Sequence, residues 1–398
     1  MDASDQTPQL TVVKRCSDCY EVVWGDGYTG RYPFVWLRDN CRCSGCYYPS
    51  SKQRSVLLSD IDVEMEPERE ELIVDGQEMK IFWPDDHVSP FPSRWLYLNR
   101  FDKTNFDPVS QLVPKPWGSE QVNELLRFDY KEVMEDSRVL RDWLRSLVVS
   151  GIALLTGAPK ETGVIESIGK RVGHLRTTMY GHTFEVLAIA SSSNLAYTTL
   201  KLGLHVDLPL YEVPPSVQML HCIKQCETVG GESQFCDALK VTNDLKESDP
   251  EFYNTLTRVK VDIRLRGKDY IPYHFQYARP IIELDDEGKF KAITHNNGVR
   301  APYMNLPVAD VKSWYKSLSC LDGKLNAKEN MIQFKLKEGD VVTFNNNRVM
   351  HGRSSFQLAQ DQDEGKKTRH LAGGYLSWDV INSSIRLLDE ELDDIAIL

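Results

Sequence analysis

Two rhythms of apolar and polar positions divide the chain. Over residues 10–95, short runs such as Glu21-Val22-Val23-Trp24 and Lys80-Ile81-Phe82-Trp83 alternate between turn residues. Alternation puts successive side chains on opposite faces of a strand, so this stretch predicts a small β-rich module. The acidic run over 64–71 reads as a solvated loop. Residues 96–118, punctuated by Pro108, Pro114 and Pro116, read as a connection.

From 119 to 398 the pattern changes. Leu125, Leu126, Val133, Leu140, Trp143, Leu144 and Leu147 recur at helical spacing and predict one or two amphipathic helices over 120–149. Apolar runs predict strands over 151–157, 217–223 and 370–378, residues 339–345 read as a turn entering the strand that leads to His351, and helices are expected over 166–173 and 237–246. The result is a mainly β fold with flanking helices. A jelly-roll barrel is the architecture that would bring such distant strands side by side.

Composition narrows the classes. The 398 residues suffice for two domains, or for one large barrel with an extension. A net charge of −11 argues against nucleic acid or an anionic membrane as the main partner. No apolar run is long enough to span a bilayer. Residues 1–8 carry two acids, no base and no apolar core, unlike a presequence or signal peptide, so the expected location is cytoplasmic. The nine cysteines, an odd number, point to reduced thiols, some of them metal ligands.

The chemistry gathers around Gly203-Leu204-His205-Val206-Asp207-Leu208-Pro209. Positions 205 and 207 face the same side of a strand, so one imidazole and one carboxylate can share an ion. His351, far downstream in Asn347-Arg348-Val349-Met350-His351-Gly352-Arg353, would complete the 2-His-1-carboxylate triad of non-haem Fe(II) oxygenases. The competing reading of the triplet alone is a histidine beside a helix-capping Asp. Arg369, on the next expected strand, offers a planar fork for the far carboxylate of a 2-oxoglutarate cosubstrate, with Arg348 and Arg353 as the nearest alternatives. His182 and His221 lie among apolar residues and are left out of the metal set.

Cys41, Cys43 and Cys46 crowd three thiols into one turn. They suit a tetrahedral zinc ion, with His87 as candidate fourth ligand and a structural Cys3His site as the result. Cys16-Ser17-Asp18-Cys19 is the competing pair, and buried free thiols are the non-metal alternative.

Several stretches together resemble the gamma-butyrobetaine dioxygenase family, which includes trimethyllysine dioxygenase. They are Arg31-Tyr32-Pro33-Phe34-Val35-Trp36-Leu37-Arg38-Asp39-Asn40-Cys41, Thr178-Met179-Tyr180-Gly181-His182-Thr183, Asn194-Leu195-Ala196-Tyr197-Thr198, and the segment from Pro214 through His221-Cys222-Ile223-Lys224-Gln225. The similarity runs from about residue 20 to 388. It implies a double-stranded β-helix domain behind an N-terminal zinc domain, and a homodimer. It implies Fe(II) on His205, Asp207 and His351, 2-oxoglutarate on Arg369 with Ser233 nearby, and ascorbate as a candidate reductant. The implied substrate is a small quaternary ammonium compound, oxidised with O2. Tyr180, Phe184 and Tyr197 match the family's aromatic cage, and Asn194 and Asn296 match amides that hold the substrate carboxylate.

The expected reaction is hydroxylation of gamma-butyrobetaine to L-carnitine with release of succinate and CO2. Hydroxylation of trimethyllysine or another betaine is the enzymic alternative, and a catalytically inactive zinc-stabilised binding module is the non-enzymic one. The chain departs from the family pattern where Phe184 replaces a usual Trp and Leu208 a usual Tyr. It departs again at Asn345-Asn346-Asn347-Arg348 and in a polar insert over 361–367.

Overall fold

The computed structural model describes residues 8–73, 75–101, 107–187, 198–357 and 369–393. It divides into two compact units, residues 1–106 and 107–398.

In the first unit, strands β1 (Leu10–Arg15), β2 (Cys19–Trp24) and β3 (Thr29–Pro33) form an antiparallel sheet followed by a short helix α1 (Phe34–Asp39). A two-residue ladder, β4 (Tyr47–Tyr48) with β5 (Gln53–Arg54), follows the cysteine turn. A second sheet is built from β6 (Arg69–Ile73), β7 (Glu78–Phe82) and β8 (Val88–Pro92), and α2 (Ser93–Leu98) closes the unit. Alternate residues Tyr20, Val22 and Trp24 from one sheet and Met79 and Ile81 from the other share one core. The acidic run is not wholly loop. Its end enters β6, where Arg69 stacks on Phe82, its register partner across the ladder.

Two residues at the ends of the stretch expected to connect the domains are packed within the units. Leu96 is fully buried in the first core. Trp117 is buried in the second unit, its amide donating to Asp237 and its indole to the Ser150 carbonyl.

The second unit opens with α3 (Gln121–Glu124), β9 (Arg127–Asp129), α4 (Tyr130–Glu135) and α5 (Ser137–Val149). The helical stretch is broken because Asp129 and Asp136 each cap a new helix, accepting from the amides of Lys131 and Glu132 and of Arg138 and Val139. Then come β10 (Ile152–Thr156), α6 (Val164–Val172), β11 (Thr183–Leu187), β12 (Leu202–His205), β13 (Val217–Lys224) and β14 (Ser233–Asp237). Asp237 caps α7 (Ala238–Ser248), which leads to α8 (Pro250–Arg258), a long hairpin β15 (Lys260–Lys268) and β16 (Pro272–Pro280), and a short one, β17 (Ile282–Leu284) and β18 (Phe290–Ile293). Helix α9 (Val308–Leu325), β19 (Met331–Phe334), β20 (Val341–Asn345), β21 (Val349–Arg353), β22 (His370–Leu376) and α10 (Trp378–Asp393) complete it.

Two sheets make the double-stranded β-helix, ordered β11-β22-β13-β20-β10-β9 and β12-β21-β14-β19. Period-two alternation sorts every strand. In β10, Ala153 and Leu155 face the helices α5, α6 and α10, while Ile152 and Leu154 face inward. In β21, Met350 faces α7 and α9, while Val349 faces inward. His351 follows Val349 on the inner face, its ring 4.9 Å from Phe344 of the opposite sheet. The same rule turns His205 inward, because Leu204 and Val206 join the outer core.

At the end of the barrel Arg348 and Asp237 form a buried two-pronged ion pair at 2.9 and 2.7 Å. Arg348 also donates to the carbonyls of Lys115 and Val149. It therefore joins β14, α5 and the approach to Trp117.

Candidate active site and zinc site

His205 and His351 are register partners on adjacent strands. Asp207 Oδ1 lies 3.3 Å from His205 Nε2 and 3.8 Å from His351 Nε2, and the imidazole centroids are 4.2 Å apart. His205 Nδ1 meets the carbonyl of Gly203 at 2.9 Å, which fixes the ring and frees Nε2 to face Asp207.

The carboxylate is braced at both ends. The Tyr375 hydroxyl donates to Asp207 Oδ2 at 2.7 Å. Asn346 accepts from the Asp207 amide at 2.7 Å and donates to its carbonyl at 2.9 Å. These contacts hold a bent backbone, because the next residue, Leu208, has φ of +52°. A side chain in that left-handed region costs on the order of 1–2 kcal/mol, so the surroundings must enforce it.

Electrostatics favour a cation among the three groups. Burial opposes charge on all of them, yet His205 and His351 hold Asp207 well below the usual carboxylate range. Burial and the neighbouring His205 push His351 down to about 3, leaving a neutral imidazole. His205 is raised, its burial outweighed by the bond to Asp207. One carboxylate and two imidazoles with ligand atoms inside 4.8 Å are the donor set of a non-haem iron site.

Arg369, immediately before β22, is buried at 3% exposure. Its Nε has no hydrogen-bond partner, and it makes no ion pair among the described residues. An unpaired buried guanidinium is costly and calls for an anion. A 2-oxoglutarate carboxylate fits that need. Arg348 is committed to Asp237 and is excluded as the anchor. Ser233, buried at the start of β14, stands opposite Arg353 in register. Replacing Arg369 by Ala should raise the 2-oxoglutarate requirement about 10- to 100-fold, the loss of a charged hydrogen-bond pair worth about 1.5–3 kcal/mol. Initial rates against cosubstrate concentration check this, and an unchanged requirement would point to a different anchor.

Of the expected substrate residues, Tyr180 and Phe184 pack together with ring centroids 5.8 Å apart. Asn194 and Tyr197 lie outside the described residues, as does the 361–367 insert. Asn296 donates to the Val206 carbonyl and accepts from the Gly298 amide, bracing the metal strand and retaining one N–H and one lone pair for a ligand.

The sequence reading missed Tyr375 and Asn346. Tyr375 lies 5.4 Å from Phe184 by ring centroid, so one residue joins the aromatic wall to the metal carboxylate. Its signal was the alternation through β22, which turns 369, 371 and 375 the same way. The Phe184 ring occupies the space over Gly373, where a Cβ would stand 2.3 Å from it. Asn346 belongs to a segment noticed only as a departure from the family pattern. Leu208 packs on Met179 and Tyr375, and Leu265, Tyr273 and Phe275 of the β15–β16 hairpin extend the same cluster. His221 is a neutral core histidine, pushed down to about 4 by burial. His182 is exposed and bonded to Thr177.

In the first unit His87 Nε2 lies 3.1, 3.7 and 3.6 Å from the sulfurs of Cys41, Cys43 and Cys46. Tetrahedral zinc with ordinary Zn–S and Zn–N bonds sets ligand atoms about 3.5–3.8 Å apart, so the four fit one ion. Arg38 donates to Cys46 and Asp85, and Asp85 accepts from the His87 amide, which orients the imidazole. Cys16 and Cys19 stand apart from this group, at the β1–β2 turn. Cys41→Ser should lower zinc content and destabilise the unit, because structural metal binding is folding free energy. Elemental analysis with thermal unfolding checks this, and native-like stability without zinc would refute it.

The barrel, the His-Asp-His group and the buried Arg369 define a 2-oxoglutarate-dependent iron oxygenase. Comparison with known proteins agrees. The profile of the taurine catabolism dioxygenase TauD, TfdA family matches residues 108–375, and the chain belongs to that family. The profile of gamma-butyrobetaine hydroxylase-like N-terminal domains matches residues 12–97. The chain is 38% identical over 378 residues to human gamma-butyrobetaine dioxygenase, covering 94% of this chain and 95% of that one. It is 28% identical to rat mitochondrial trimethyllysine dioxygenase, over 90% and 83% of the two chains. Among solved structures, a putative alpha-ketoglutarate-dependent taurine dioxygenase from Burkholderia xenovorans aligns with TM-score 0.47 and 14% identity, over 66% and 91% of the chains.

Proposed function

We propose that this protein hydroxylates gamma-butyrobetaine to L-carnitine, consuming 2-oxoglutarate and O2 and releasing succinate and CO2. The observation that carries the reading is the likeness to human gamma-butyrobetaine dioxygenase across nearly the whole of both chains.

Bound iron, held by His205, Asp207 and His351, supplies the activation of dioxygen needed to attack an unactivated C–H bond. The protein's own residues do the rest. Arg369 holds the cosubstrate's far carboxylate. Tyr375 and Asn346 keep Asp207 aimed at the metal position. A trimethylammonium group offers no N–H donor and is best held by ring faces, which Tyr180 and Phe184 supply, with Tyr197 the third ring by resemblance. Leu208 excludes water without adding a ring.

Leu208 favours a second reading, a bulkier betaine such as trimethyllysine, since a leucine leaves more room than the tyrosine usual in the family. The complete metal and Arg369 set speaks against an inactive binding module. A homodimer, implied by the family resemblance, and the cytoplasmic location expected from the sequence complete the proposal, and both are open to test by sedimentation and fractionation.

Mass-spectrometric assay of hydroxylated product over trimethylammonium compounds tests the substrate. Gamma-butyrobetaine should be preferred to trimethyllysine, in line with the 38% likeness to gamma-butyrobetaine dioxygenase, and to its own neutral tert-butyl isostere, because a cation over an aromatic face gains about 0.5–2 kcal/mol. Equal turnover of the isostere would reject the cage, and preferred turnover of trimethyllysine would favour the second reading.

A further inference from the structure

We propose that Arg353 is a positioning residue that clamps Thr198–Leu200 and, through it, sets the substrate side of the active site. The proposal rests on the hydroxylase reading above.

Arg353 ends β21, two positions after His351, and is 5% exposed. Its Nη2 donates to two backbone carbonyls, Thr198 at 2.6 Å and Leu200 at 2.8 Å. The carbonyl between them, that of Thr199, accepts from the Phe356 amide at 3.1 Å. Three successive carbonyls are thus gripped by the tail of one strand. The guanidinium also lies over the Phe356 ring, 4.9 Å from its centroid. Among the described residues no named strand includes this segment, since β12 begins only at Leu202, itself the register partner of Arg353.

The base of the clamp is fixed on its other side. Ser233 of β14 is the second register partner of Arg353. Beyond it, Ser354 bonds Glu232, the Gly231 amide donates to Ser355, and Gly230 bridges Phe356. At Gly352 a Cβ would stand 2.7 Å from the Leu202 carbonyl, so the start of β12 is pressed directly on this turn.

The position gives the clamp its consequence. Thr198 follows Tyr197, a cage residue by resemblance, and Leu200 precedes the strand that carries His205. Movement at 198–200 reaches His205 through β12, whose first residue, Leu202, pairs with Arg353. Both bonds leave one terminal nitrogen, whose two N–H groups are fixed in the guanidinium plane, whereas a lysine ammonium carries rotatable donors on a flexible stem. The expected division of labour follows: Arg369 serves the cosubstrate, and Arg353 serves the alignment of substrate with metal.

The test compares wild type, Arg353→Met and Arg353→Lys, all zinc-replete. Hydrogen exchange without substrate is the first readout. The Phe356 amide should exchange at least about 10-fold faster in Arg353→Met and less so in Arg353→Lys, since loss of a charged hydrogen bond loosens the backbone it holds. Unchanged exchange overturns the clamp, whatever the substrate proves to be. The second readout is kinetic. In Arg353→Met the betaine KM should rise about 10-fold and hydroxylated product per succinate should fall, with the 2-oxoglutarate KM within about two-fold of wild type. Arg353→Lys should recover part of the coupling and, as the milder change, supplies the answer should the methionine variant fold poorly. A raised 2-oxoglutarate KM with one product per succinate would make Arg353 a cosubstrate ligand and overturn the proposal. Failure of wild type to hydroxylate any betaine would refute the substrate reading and leave the exchange result to decide the clamp.

Discussion

Replacing Asp207 by alanine should abolish succinate formation, by roughly 10³-fold or more, while zinc stays bound. Among the described residues, the carboxylate is one of three metal-ligating groups that converge on the metal position. Losing a metal ligand removes several kcal/mol of stabilisation, at about 1.4 kcal/mol per factor of ten. It also removes the anion between two imidazoles whose rings are 4.2 Å apart. His205→Ala and His351→Ala should match it. Tyr375→Phe should be milder, roughly 10- to 100-fold, because it removes only the hydroxyl that orients Asp207. Succinate release with 2-oxoglutarate and Fe(II), and zinc by elemental analysis, measure both. Full activity in any ligand variant would sink the metal assignment.

The largest loss of stability is expected at the barrel's end. Arg348→Met should destabilise the catalytic unit by about 3–5 kcal/mol, the usual cost of stranding one partner of a buried ion pair. Asp237 is fully buried, and its carboxylate accepts from Arg348, the Trp117 amide and the Leu239 amide. Without the guanidinium, a buried anion remains, or its proton must be restored. Burial already raises Asp237, with Arg348 opposing that rise. Arg348→Met combined with Asp237→Asn should therefore recover part of the loss. Urea unfolding followed separately for the two units checks both, and a loss below about 1 kcal/mol would show the pair to be dispensable.

Much of this was legible in the chain because strand alternation is a local signal. Ile152 to Leu155 and Val349 to His351 declare their inner and outer faces within a few residues, and that geometry accounts for His205 and His351, whereas Asp207 lies past the end of β12. Pairings between distant segments were not legible. Nothing near Arg348 announces Asp237, and nothing near Asn346 announces the backbone of Asp207. The helical stretch over 120–149 was misjudged for another reason: apolar spacing outweighed the capping signals at Asp129 and Asp136. The β15–β16 hairpin also alternates, but its outer face of Lys260, Asp262, Arg264, Arg266 and Lys268 reads as solvated surface when its partner strand is not considered. Tyr375 was within reach, since it shares the inner face of β22 with Leu371.

The account turns on whether this metal site couples 2-oxoglutarate consumption to betaine hydroxylation. The most direct measurement is the ratio of hydroxylated gamma-butyrobetaine to succinate, by mass spectrometry under oxygen-18 gas with Fe(II) supplied. The expected result is one labelled hydroxyl product per succinate, with both lost in Asp207→Ala. Succinate without labelled product, or product that survives in Asp207→Ala, would contradict it.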